Sequence, residues 1–269
     1  MSQLISRFVV ASDLHFMAWK DTDLPVEWVP QIRASLEDIA SLEPDWLVIN
    51  GDLTNGKERD YRLAMRTIEE TCPFPVYFTM GNHEYYGYYE DESFSIELAR
   101  ERFLKYTGQQ SISYYRDAAN ARFIFMSTEN YSPDLKDAGW ISEDRQAWLQ
   151  ALLDGAAKKI AGPIIIFFHQ PVNDTVAESQ GTFVQSDAIT QILRKHERVV
   201  WFSGHTHCRM DRPDQIADRG ATLFVGGGCV GDKSPQSRFV TLYDDRIDLR
   251  IRDHKSRSWL EAYDFTWCF

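Results

Sequence analysis

Five short apolar runs in this chain are each followed at once by histidine, aspartate or asparagine, and this repeated pairing constrains the fold more than any other feature. In order, the polar segments are Asp13-Leu14-His15, Gly51-Asp52, Gly81-Asn82-His83-Glu84, His169 and Gly204-His205-Thr206-His207. The runs before them, residues 8–11, 46–49, 76–80, 164–168 and 199–202, are continuously apolar, as strands buried on both faces should be. A parallel-type sheet delivers such strand ends to one edge, where the following loops converge on a crevice. Glycines at 51, 81 and 204 let the backbone turn sharply there.

Imidazole, carboxylate and carboxamide are a ligand set for first-row divalent metals. The number of such groups exceeds what one tetrahedral ion can use, so the count suggests two metals. Two metals in one crevice point to hydrolysis of a phosphate ester.

Further strand runs fall at 123–126, 223–225, 239–243 and 248–251, the last two alternating enough to suggest an edge hairpin around Asp244-Asp245. Helical spacing marks 31–42, 58–71 and 186–196. Ser142 reads as the N-cap of another helix, one that buries Trp148, Leu149, Leu152 and Leu153. Strands alternating with helices and then strands near the end predict a layered α/β fold with mixed sheets. With no internal repeat or linker, residues 1–269 read as one domain, with strands in 238–269 and a pocket-lining insertion expected at 85–115.

Acidic residues outnumber basic ones by 40 to 29, a net charge of −11, which argues against an extended nucleic-acid footprint. It leaves room for a small anion, because bound cations dominate the field of their own site. No apolar run is long enough to span a membrane, and the stretch before Asp13 is too short for a secretory signal, so a cytoplasmic location is expected. The four cysteines include no Cys-x-x-Cys pair and read as reduced thiols, with Cys208 singled out only because it follows His207. His196 and His254 have charged neighbours and read as surface residues.

The five motifs, in this order and behind these runs, resemble those of the calcineurin-like metallophosphoesterases. Gly139-Trp140-Ile141-Ser142 is similar to a segment of many phosphohydrolases of that family. His169-Gln170-Pro171 is similar to the His-x-Pro of its cyclic-nucleotide phosphodiesterase-like branch. The resemblance implies an α/β/β/α sandwich of two mixed sheets flanked by helices, with the metal site at the strand C-terminal ends. Asp13, His15 and His207 would hold one metal and Asn82, His169 and His205 a second. Asp52 would bridge both, and His83 would face the substrate as the catalytic residue. Water acidified between two cations would attack a small soluble phosphate ester, most naturally a diester. Manganese or iron is favoured for the pair, with zinc and cobalt also compatible. Tyr85 and Tyr86, directly after the third motif, are expected at the pocket mouth.

The match departs from the Ser/Thr protein phosphatases, whose second motif continues into Asp-Arg-Gly. Here Asn55 stands at the carboxylate position and no arginine follows. An amide cannot raise the His83 pKa as an anion would. A phosphomonoesterase or nuclease of the same family, and a catalytically silent binding scaffold, are the alternative readings. The sequence leaves the oligomeric state open.

Overall fold

Residues 2–118, 120–135, 137–160 and 162–269 are described by the computed structural model, in which two sheets lie face to face with helices outside both. Strand alternation explains this layering. In β1 (Leu4–Ala11), Phe8 and Val10 turn toward the opposite sheet, while Val9 and Ala11 turn toward helices. Both faces are buried, so the run is apolar without a break.

In the first sheet β1 lies parallel to β2 (Trp46–Asn50), which lies parallel to β3 (Val76–Thr79). On its other side β1 pairs antiparallel with β10 (Gln236–Tyr243), and β10 with β11 (Arg246–Asp253). The second sheet has a parallel centre of β5 (Ala121–Phe125), β6 (Ile164–Phe167), β7 (Val199–Ser203) and β9 (Thr222–Gly226). Antiparallel β4 (Tyr114–Ala118) and β8 (Ile216–Asp218) close its two edges. Between the sheets, Phe8 stacks on Trp46 at 4.2 Å, and Phe125, Phe167 and Phe202 stack in series at 5.0 and 5.6 Å. Each such ring pair adds roughly 1 kcal/mol beyond its buried area.

Three helices, α1 (Val29–Ser41), α2 (Glu58–Thr71) and α3 (Ile96–Thr107), cover the outer face of the first sheet through Ile32, Leu36, Tyr61, Ile68 and Phe103. The second sheet is covered by α4 (Glu143–Lys159) and α5 (Ser186–Leu193) through Leu149, Leu153, Ile189 and Leu193. Ser142 caps α4 as expected, its hydroxyl accepting from the Arg145 amide at 3.2 Å. Among the described residues, no helix is long and apolar enough to cross a membrane.

Several details differ from the sequence-based expectation. The hairpin of β10 and β11 is interior rather than at an edge: β1 flanks one side, and β12 (Ser258–Trp259) and β13 (Phe265–Cys268) pair with β11 on the other. Those two strands are too short and too exposed to show as apolar runs. Helix α5 stops at Leu193, short of His196. His254 is buried, not superficial: Nδ1 lies 2.8 Å from Asp38 Oδ2 and Nε2 lies 2.9 Å from Ser237 Oγ. His196 is buried too, its Nε2 accepting from Gln150 Nε2 at 3.1 Å. Lys195 and Glu197 beside His196 are exposed, whereas Arg252 near His254 turns inward to the same Asp38.

Candidate metal centre

All five polar segments sit within a few residues of a strand C-terminus: β1, β2 and β3 in one sheet, β6 and β7 in the other. The crevice therefore straddles the edges of both sheets. Backbone bonds stitch the loops together, from Asp13 N to Gly51 O at 3.2 Å, His15 N to Asp52 O at 3.0 Å, and Gly204 N to His169 O at 2.8 Å. Asp13, His15, Asp52, His205 and His207 all take left-handed backbone angles, with φ of 57, 52, 52, 70 and 52°. Non-glycine residues hold such angles only where surrounding structure imposes them, each at about 1–3 kcal/mol. Gly51 is also left-handed (φ 83°), and a Cβ there would run into the His169 ring.

Asn50, at the end of β2, fastens the two sheets beneath the site. Its amide donates to the Phe168 and Phe202 carbonyls, accepts from Thr79 Oγ1 at 3.0 Å, and is fully buried. Its backbone carbonyl accepts the His169 Nδ1–H at 2.8 Å. That bond occupies Nδ1 and turns Nε2 toward Asp52 Oδ2 (3.0 Å) and Asp13 Oδ1 (3.7 Å). His207 Nε2 lies 3.1 Å from Asp13 Oδ1 and 3.1 Å from His15 Nε2. His205 Nδ1 and the Asn82 side-chain oxygen lie 3.1 Å apart. Gln170 holds Asn82 through a bond to that same oxygen at 3.2 Å.

Two buried atoms in this cluster, Asp13 Oδ1 and His169 Nε2, have no hydrogen-bond partner. Carboxylate oxygens and imidazole nitrogens gathered this closely are an arrangement that a cation converts into ligation. Asp52 with His169 and His205, and Asp52 with His15 and His83, form groups compact enough to hold an ion. The electrostatics agree. Burial pushes the Asp13 carboxyl up, but His169 and His207 outweigh it and hold it at about 2. Asp52 is likewise driven well below its usual range, against burial, by His169 and His83. Asp52 and Asp13 in turn overcome burial to lift His169 to about 9, and the nearby Asp13 carboxylate lifts His207 to about 9. The crevice thus demands positive charge. The donor set, nitrogen and oxygen on all sides, fits a pair of divalent transition metals.

His83 points its Nε2 toward Asp52 Oδ2 at 3.8 Å, and its Nδ1–H donates to the Asn55 side-chain oxygen at 2.7 Å. Tyr86 packs on the His83 ring with centroids 3.9 Å apart, and its hydroxyl donates to Asp137 Oδ1 at 2.8 Å. Tyr85 is not at the mouth: it is fully buried, with its hydroxyl on the Thr128 carbonyl at 2.9 Å. In the 3-10 turn His83–Tyr89, adjacent side chains leave on different faces, so one tyrosine enters the core and the next meets the site. The longest element in the 85–115 stretch is α3, which packs against α2 and the 3-10 turn.

Sequence reasoning missed several supports. Glu84 is buried and accepts from the Asp52 amide (3.0 Å), the Thr54 amide (3.1 Å) and the Gly81 amide (2.7 Å), so one carboxylate clamps two motif loops. Asp137, in a loop with no pattern of its own, reaches the site only through folding. Cys229 lies with His15 and His207 in a further compact group, its thiol directed at the Asp13 carbonyl at 3.1 Å. A cavity of about 300 Å³ opens beside the cluster, lined by His15, Trp28, Asn55, His83, His207, Cys229, Gly231 and Asp232.

Comparison with known proteins places this geometry. Residues 6–209 match the family model of the calcineurin-like phosphoesterases. A glycerophosphodiester phosphodiesterase, GpdQ, of Enterobacter lignolyticus (strain SCF1) is 28% identical over 201 residues, 71% of this chain and 67% of its own. A manganese-dependent ADP-ribose/CDP-alcohol diphosphatase of Danio rerio is 23% identical over 257 residues, 75% of this chain and 79% of its own. Among solved structures, a dimetal phosphatase from Danio rerio superposes with a TM-score of 0.74 at 18% identity, covering 99% of this chain and 100% of the other. The purple acid phosphatase PPD1 from yellow lupin gives 0.65 at 15% identity, covering 98% and 54%.

Proposed function

The chain belongs to the calcineurin-like phosphoesterase family, and on that premise we propose that it hydrolyses small phosphate esters whose scissile phosphorus carries two substituents and a single negative charge. That class covers both a phosphodiester and the diphosphate link of a nucleotide conjugate, the two bond types named for the relatives above. The observation that carries this reading is the lining of the crevice: among the described residues around it there is neither lysine nor arginine, and Asp232 adds negative charge. A monoester dianion has one more charge to neutralise and finds nothing beyond the cations to do it.

In this reading Asp13, His15 and His207 hold one cation, Asn82, His169 and His205 the other, and Asp52 both. Manganese is the favoured metal, in line with the dependence named for one relative. When bound, the pair lowers the pKa of water and neutralises charge on the phosphoryl oxygens. His83 does the remaining proton work. Its Nδ1–H is spent on Asn55, so Nε2 is the atom that can hold a proton for the departing alkoxide. Tyr86, packed on the ring and tied to Asp137, keeps Nε2 aimed.

Turnover of bis(4-nitrophenyl) phosphate and of 4-nitrophenyl phosphate under added manganese tests the substrate class. The diester is expected to win in kcat/KM by at least about tenfold, a difference of ~1.4 kcal/mol in transition-state binding. A preference for the monoester would reverse the assignment.

A further inference from the structure

Among the residues lining the cavity beside the metal centre, Cys229 alone carries sulfur, and the two-cation arrangement above leaves it without a role. It follows the run Gly226-Gly227-Gly228 at the end of β9. Its loop is laid directly on the first polar segment. The Val230 amide donates to the Ser12 carbonyl at 3.1 Å, and the Gly231 amide to the Asp13 carbonyl at 2.9 Å. Gly231 permits that approach, since a Cβ there would come within 2.5 Å of the Leu14 carbonyl oxygen. Cys229 is thereby held beside the candidate ligands and is only 4% exposed.

Cys229 Sγ and one ring nitrogen each of His15 and His207 lie within 4.8 Å of one another. The two histidine nitrogens are 3.1 Å apart. Donor atoms that share a tetrahedral zinc sit about 3.5 Å from each other, so this spacing needs little adjustment to close on an ion. A fourth donor is aimed into the same space. Asp13 Oδ1 is buried without a hydrogen-bond partner, 3.1 Å from His207 Nε2 and 3.9 Å from His15 Nε2. Cys208, although next to His207 in sequence, has its sulfur engaged by Arg212 Nη1 at 3.9 Å. The other half of the centre, Asn82, His169 and His205 with Asp52, offers nitrogen and oxygen only.

We propose that Cys229 is a further ligand of the cation held by Asp13, His15 and His207, and that it makes this half of the centre selective for a thiophilic divalent ion such as zinc, cobalt or cadmium over manganese. The inference rests on the two-cation reading above. The thiol donates to the Asp13 carbonyl at 3.1 Å; as the metal–sulfur bond forms, its proton leaves to solvent, and no electron is transferred. Thiolate sulfur is a soft donor that favours zinc or cobalt, whereas manganese favours oxygen. Manganese is then the natural occupant of the second half, and a thiophilic ion displaces it from the first.

Cobalt and manganese, each added as the divalent ion to the chelator-stripped full chain, test this by absorption spectroscopy and calorimetric titration. Cobalt is expected to raise an intense near-ultraviolet sulfur-to-metal charge-transfer band that saturates at a single cobalt–thiolate bond per chain. Cys229→Ser should remove the band and weaken one of the two cobalt sites at least about tenfold, with manganese affinity held within about twofold. Cys208→Ser should keep the band. If Cys229→Ser does not fold, X-ray absorption of the zinc-loaded wild type decides, with one sulfur neighbour at about 2.3 Å for every two zinc ions expected. Cobalt bound without the band, a band that survives Cys229→Ser, or zinc surrounded by nitrogen and oxygen alone would overturn the thiolate ligand and leave the two-cation reading standing. Failure of cobalt and manganese alike to bind would overturn both.

Discussion

His83, which lines the crevice, is oriented by an amide rather than a carboxylate. Asn55 accepts the His83 Nδ1–H at 2.7 Å, which fixes the ring as an anion would but does little to favour its protonated form. Burial pulls the His83 pKa down, against the opposing pull of Asp52 and Asp13. Asn55→Asp would supply the missing anion and raise that pKa. The limb of the pH–rate profile that belongs to His83 should then move to higher pH, and a profile that stays put would remove His83 from the proton transfer. His83→Ala should lower turnover by roughly 10²–10⁴ while the bound metal stays constant by elemental analysis; loss of metal would make His83 a ligand. At this scale the sequence was most legible where a polar residue ends an apolar run. Asp13, Asp52, Asn82, His169 and His205 stand out because polar groups at strand ends are conspicuous. Glu84, Asn50 and Asp137 support those residues through bonds that join separate loops, which a linear pattern does not display.

Elements that bury a broad apolar stripe were readable, and those that bury little were not. Helix α2 runs over the expected 58–71 because Tyr61, Ala64 and Ile68 repeat along one face. Helix α3 was not anticipated: only Ala99 and Phe103 are fully buried, although Ser95 caps its start and Gly108 its end. The ion network between α1 and β11 was equally hidden. Asp38 on α1 receives Arg252 Nε and Nη2 at 2.9 and 2.8 Å, and lies 2.8 Å from His254 Nδ1, with Asp38 only 1% exposed. The chain of Asp38, His254 and Ser237 has the connectivity of a hydrolase triad, but all three are buried, and none lines a cavity described above. We assign it to docking α1 onto the sheet. Breaking such a buried pair from one side costs about 3–5 kcal/mol, so Asp38→Asn should lower the urea midpoint with the slope unchanged. Burial pushes the Asp38 pKa up, but Arg252 and His254 outweigh it and hold it well below the usual range. A depressed folded-state pKa gives stability that is present above the unfolded value, about 4, and lost as pH falls below it. The gap between wild type and Asp38→Asn should therefore be full near neutrality and close with acidification; a gap that persists in acid would show that the substitution acts through packing.

At the scale of the molecule, the crevice sets a conflict that neither sheet resolves alone. The first sheet contributes both carboxylates, Asp13 and Asp52, and the second contributes His169, His205 and His207. The carboxylates are both buried, and the Asp52 charge works against the ionised form of Asp13. In the protein alone, their charge is met by protons on His169 and His207, each lifted to about 9. A cation that takes over this role binds the folded chain and not the unfolded one, because only folding brings the two sheet edges together. Its binding energy is then folding energy, about 2.7 kcal/mol when the metal is a hundredfold above its Kd. In a domain of this size that amounts to a rise in melting temperature of roughly 5–10 °C. Chelator-stripped protein resupplied with manganese should recover that rise together with its activity, and Asp52→Asn should lose most of both. The rise must also shrink as pH falls, since protons and metal compete for the same imidazole nitrogens. A melting temperature indifferent to manganese at neutral pH would mean that the two sheet edges are held together without any help from cations, and the crevice would lose its standing as a metal centre.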